Sequence, residues 1–112
     1  MGQQNMKKLG FAQNLVPLIL GGSKTVTWRM FDDKNLQIGD QLEFINSNTG
    51  EKFAEAEFVS IREKKLGEIE EKDFQGHETY KGKEEMLKTY QGYYGDKVDW
   101  DTPVKIIAFK LL

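Results

Sequence analysis

The chain has 112 residues, a formal net charge of −2, no cysteine and one histidine. That length fits a single domain with one core, and the absence of thiols excludes disulfides, cysteine nucleophiles and thiolate metal sites. The slightly acidic balance excludes a global basic field for long duplex nucleic acid, while Lys7, Lys8, Lys24, Arg29 and Lys34 leave room for a local basic face.

No apolar run approaches the roughly 18 residues of a membrane span. The opening MGQQNMKKLG lacks the apolar stretch of a secretory leader, so a cytoplasmic protein with no membrane contact is expected. Residues 1–10 read as an N-terminal extension and 11–112 as one domain. Phe11, Leu15, Leu18 and Ile19 recur at helical spacing and predict a short helix, with Asn14 as N-cap, Pro17 in its first turn and Gly21-Gly22 as its stop.

KTVTWR is rich in β-branched and aromatic residues and reads as a strand. On an ideal strand Thr25, Thr27 and Arg29 share one face, and Val26 and Trp28 share the other. Val26 and Trp28 are the natural core side, which leaves a face that is polar three times running. FDDKNLQIGD is a polar connection ending in a Gly39-Asp40 turn. QLEFI is a second strand and NSNTGE a hairpin turn. KFAEAEFVSIRE predicts a long third strand whose apolar parity shifts near Phe58-Val59, the mark of a bulge.

Glu68 to Glu78 reads as a short helix followed by a loop at Gly76. Met86, Leu87, Tyr90 and Tyr94 mark a helix ending near Gly92 to Gly95. VKIIAFKLL is apolar on both faces, as a central strand would be. This order is not a regular β-α-β alternation. It predicts an α+β fold, a mostly antiparallel sheet curled into a small barrel with helices at its side.

His77 stands in a loop between Gly76 and Glu78, either as a structural residue or as a base-stacking or acid/base group at the barrel mouth. One histidine without cysteine does not make a zinc site, and no phosphate-cradling glycine motif follows a strand, so no metal and no organic cofactor is expected. In YQGYYG, Tyr90 and Tyr94 fit core packing, and Tyr93 is the exposed aromatic that can stack a nucleobase.

LILGGSKTVTWR, then IGDQLEF, then VKIIAFKLL, resembles an ASCH domain of the PUA-like superfamily, from about Phe11 to Leu112. In that family an apolar helix ends in Gly-x-Lys-Thr-x-Thr-x-Arg, a Gly-Asp turn follows and a hydrophobic strand closes the barrel. The resemblance implies a PUA-like, mostly antiparallel β-barrel of five or six strands with two or three flanking helices. It is similar to the small bacterial acetylcytidine amidohydrolases, and so implies a metal-independent amidohydrolase acting on an acylated cytidine or related modified nucleoside. Lys24, Thr27 and Glu78 match the catalytic lysine, threonine and glutamate; Glu70 and Glu71 are alternatives for the last. Thr25, Arg29, His77 and Tyr93 are then substrate-binding candidates.

The implied chemistry is coherent. Desolvation lowers a pocket lysine's pKa and lets it take a proton. A threonine hydroxyl beside it becomes a nucleophile for an amide carbonyl, and a carboxylate orients the lysine or protonates the leaving amine. Lys24 and Thr27 converge only if Lys24 still belongs to the glycine turn. The family is RNA-related, so the resemblance equally implies a non-catalytic module that binds RNA or a nucleotide. The implied partner is a modified nucleoside or single-stranded RNA.

Overall fold

A computed structural model describes residues 7–31, 34–77 and 79–112. Five strands form one sheet: β1 (Lys7–Phe11), β2 (Val26–Arg29), β3 (Gln41–Asn46), β4 (Lys52–Lys65) and β5 (Pro103–Leu111), in the order β1-β3-β4-β5-β2. β1 runs parallel to β3, and the other pairings are antiparallel. The sheet curls into a half-barrel flanked by helices α1 (Val16–Leu20) and α2 (Lys83–Tyr94), the α+β PUA-like architecture the sequence predicts.

β4 makes the curl. Its first part, Lys52 to Glu57, pairs with β3, and Ala56 to Lys65 pairs with β5. Between Phe58 and Ser60 the register slips, at the position where the apolar parity shifts. A bulge of this kind bends and twists a strand, so one long strand can serve two neighbours in a closed sheet.

β5 lies between β4 and β2 and is covered on both sides. Ile107 and Phe109 join Leu9, Phe11, Leu42, Phe44 and Phe58 inside the barrel. Val104 and Ile106 face outward, where Trp28, Met86, Tyr90 and Val98 pack beneath α2. The continuous apolar pattern of this strand records that double burial.

Two expectations are corrected. Phe11 ends β1 rather than opening a helix; it is buried, 4.6 Å from the ring of Phe44. The helix is only Val16–Leu20, preceded by a 3-10 turn at Gln13–Leu15 and capped at Leu15 instead of Asn14, with Pro17 in its first turn. Lys7 to Gly10, read from sequence as extension, therefore belong to the sheet. The second correction concerns Glu68 to Glu78, where two 3-10 turns, Leu66–Glu68 and Glu71–Phe74, replace the helix.

Candidate active site

β1 and β2 are the edges of the sheet, and a cavity of about 420 Å³ lies along the seam between them. Arg29 spans that seam. From β2 its Nη2 donates to the carbonyl of Gly10 on β1 at 2.9 Å, and its guanidinium lies 4.7 Å over the Phe11 ring. Burial pushes the Arg29 pKa below its ordinary value, with Tyr94 and Tyr90 acting in the opposite direction. An arginine stays cationic under such a shift. The guanidinium is thus held by a backbone oxygen and an aromatic face.

Lys24 and Thr27 both line this cavity. The geometry follows from the turn before β2. Gly22 has φ of +87°, the Lys24 amide bonds back to the Leu18 carbonyl at 3.0 Å, and the strand starts only at Val26. Lys24 therefore still belongs to the turn, the condition under which two residues three apart can converge. Both are buried, at 3% and 4% exposure, and Lys24 Nζ donates to the Val26 carbonyl at 2.7 Å. Thr25 precedes the strand and does not share the face of Thr27 and Arg29. It is exposed and lines a separate groove with Arg62 and Lys72.

His77 enters the cavity from the loop before α2, and it is buried rather than displayed at the mouth. Its ring lies flat on Trp28, 4.0 Å between centroids and 15° between planes, and Nε2 is 3.3 Å from the Tyr90 hydroxyl. The loop is pinned one residue earlier. The Gly76 carbonyl accepts from Thr25 N at 2.8 Å and from Val26 N at 3.0 Å. Gly76 has φ of +78°, and a Cβ there would collide with Thr25 Oγ1. Only glycine fits without displacement.

Asp73 holds the same loop from the other side. Its buried carboxylate accepts from Glu70 N at 2.8 Å and Lys64 Nζ at 2.9 Å, and lies 3.0 Å from Arg62 Nη1. Burial pushes its pKa up, but the bonds from Glu70, Lys64 and Arg62 prevail and hold it below the ordinary value. A carboxylate depressed in this way stabilises the fold above the unfolded-state pKa of about 3.9, and that contribution is lost as pH falls through the folded value. Urea unfolding is therefore expected to show stability dropping below about pH 4. Asp73→Asn should be less stable at neutral pH and show a shallower acid limb; an acid limb as steep as wild type would assign the titration to other groups.

Tyr93, 59% exposed, lines the cavity as expected. Glu78 lies outside the described residues. Glu70 and Glu71 line a different, largely apolar cleft with Phe74, Tyr80 and Met86, so neither reaches Lys24 and Thr27 there. Among the lining residues that sequence reasoning left out of the site are Ser47, Asn48, Tyr90 and Tyr94. The tyrosines carried a signal, since their spacing marked a packed helix face and that face closes one wall. Nothing in the local pattern of the hairpin turn placed Ser47 and Asn48 beside β1.

Among the described residues no carboxylate lines the cavity, and no three His, Asp or Glu side chains stand together as a metal site. Two buried donors on lining residues, Trp28 Nε1 and Arg29 Nε, have no hydrogen-bond partner among the described residues. No helix among the described residues is long and apolar enough to cross a membrane.

No family model and no curated protein matches the chain by sequence. Solved structures do match its fold. Protein EF3133 of Enterococcus faecalis, of family DUF984, aligns with a TM-score of 0.79 at 15% identity, over 98% of this chain and 82% of its own. Hypothetical protein PH0355 aligns at 0.74 with 22% identity, over 96% and 100%. An ASCH domain from Lactobacillus crispatus aligns at 0.68 with 17% identity, over 88% and 70%. At these identities the likeness is one of fold.

Proposed function

We propose, from the ASCH-type fold this chain has, that the seam cavity hydrolyses the amide of an acylated cytidine or related modified nucleoside. The observation that carries this reading is the burial of Lys24 and Thr27 in one cavity of about 420 Å³, a volume suited to a small ligand. Fold alone does not carry function, so the argument rests on those side chains.

Thr27 Oγ attacks the acyl carbonyl, and its proton passes to Lys24 Nζ. A neutral amine that donates to the Val26 carbonyl still has a lone pair for that proton. The C–N bond breaks to leave an acyl-threonine, which water then hydrolyses. Glu78, next in sequence to His77, is assigned to orienting the Lys24 amine. Trp28 Nε1 and Arg29 Nε suit the carbonyl and ring-nitrogen acceptors of a pyrimidine.

A second reading, a module that binds RNA or a nucleotide without turnover, is favoured by the aromatic wall of Trp28, His77, Tyr90, Tyr93 and Tyr94. An assay for acetate release from acetylcytidine, in chelator, separates the two. Steady release at catalytic protein concentration is expected. No release, together with salt-sensitive binding of a single-stranded RNA oligonucleotide, would replace the enzyme with the module.

A further inference from the structure

We infer that Tyr90 is the group that protonates the leaving amine, and that His77 positions its hydroxyl and resupplies its proton. The inference rests on the amidohydrolase reading. An amide nitrogen departs only if it receives a proton as the C–N bond breaks. In the cavity, the described side chains able to deliver one are few. Lys24 is engaged with the Thr27 proton. Arg29 does not release its proton and is bound to Gly10. The Tyr94 hydroxyl, which accepts the Met30 amide at 3.3 Å, has no histidine behind it to resupply a proton, since Nε2 of the single histidine lies at Tyr90, and Tyr93 stands at the exposed rim.

Tyr90 and His77 differ from these. Both are buried, at 3% and 7% exposure, and Tyr90 Oη lies 3.3 Å from His77 Nε2. Trp28 fixes the imidazole plane by stacking. The loop holding His77 is bonded through Gly76 to Thr25 and Val26, the two residues between Lys24 and Thr27. The histidine that resupplies the proton and the nucleophile therefore share one rigid frame. The titratable groups around His77 among the described residues are Lys24 and Arg29 on the same cavity lining, Tyr80 from the following loop, and Tyr90, Tyr93 and Tyr94 on α2.

The protons balance over the cycle. In acylation, the electron pair of the C–N bond goes to nitrogen, which takes the Tyr90 proton while Tyr90 takes one from the His77 imidazolium. In deacylation, water attacks the acyl-threonine and its proton returns through Tyr90 to neutral His77. The Thr27 oxygen recovers its own proton from the Lys24 ammonium. One amide and one water become one acid and one amine.

The test compares acetylcytidine with p-nitrophenyl acetate, whose nitrophenolate leaves without a proton. Tyr90→Phe keeps the ring and removes the hydroxyl. It is expected to lower the single-turnover acylation rate on the amide about 100-fold while the nitrophenolate burst, which reports acylation alone, stays within about threefold, and His77→Gln should show the same split. The chain has one histidine, so its ring resonance is unambiguous. Its NMR titration should move to lower pH in Tyr90→Phe, because the charged ring loses its acceptor, and should match the upper limb of the wild-type kcat profile. Equal losses on amide and ester, an unimpaired amide rate, or an unmoved titration would each overturn the relay while leaving the amidohydrolase intact. A wild-type protein that releases no acetate from acetylcytidine removes the amidohydrolase reading and the relay with it.

Discussion

Arg29→Ala is expected to lower the unfolding free energy by about 2–4 kcal/mol, read from urea or thermal melts. The side chain joins the two sheet edges that backbone pairing leaves apart, and three losses follow from removing it. The Gly10 carbonyl loses a charged donor, Phe11 loses the cation over its face, and the seam is left with a void. Arg29→Lys should recover only part of the loss, since an ammonium is a compact point charge and cannot reproduce a planar fork. Melting curves that superimpose on wild type would mean the seam is held by β3, β4 and β5 alone.

Lys24→Met is expected to abolish acetate release, with kcat falling at least about a thousandfold, while the fold survives. Methionine is the informative replacement because Lys24 is buried rather than standing at a pocket mouth. Its stem packs, so Lys24→Ala would confound a cavity with a lost base. Acetate-release kinetics on the variant, with a melt on the same sample, separate the two effects. A variant that still turns over substrate would remove Lys24 from the chemistry.

Much of this fold was legible because its signals are local. The bulge in β4 showed as a parity shift, the end of α2 as a glycine, which has φ of +94° at Gly95, and the position of β5 as apolar residues on both faces. β1 was not legible. Five residues give too short a run for period to decide, and Phe11 to Leu15 happens to repeat at helical spacing. Its partner β3 lies parallel and distant in sequence, so no turn announces the pairing.

The candidate site was legible in part. Lys24, Thr27 and Arg29 stood out because polar residues filled a strand that should have been half apolar. Thr25 was misplaced by treating the strand as starting two residues early; the Gly76 carbonyl takes its amide and Val26's together, and the chain turns there. His77 looked solitary because its partners, Trp28 and Tyr90, sit on other elements. Adjacency of that kind is a property of packing, and sequence spacing does not express it.

The pairing of β2 has a kinetic meaning. Among the described residues β2 has β5 as its only neighbour in the sheet, with Val26 opposite Ala108 and Arg29 opposite Lys105. β3 and β4 form a hairpin that can zip locally, whereas β2 must wait for a partner on the far side of α2. Closing so long a loop is entropically costly, and contacts of high sequence separation slow folding. During synthesis the strand carrying Thr27 and Arg29 therefore has no place to dock until β5 has emerged from the ribosome. β1, β3 and β4 can pair earlier; the cavity that Lys24 and Thr27 line cannot form before β5.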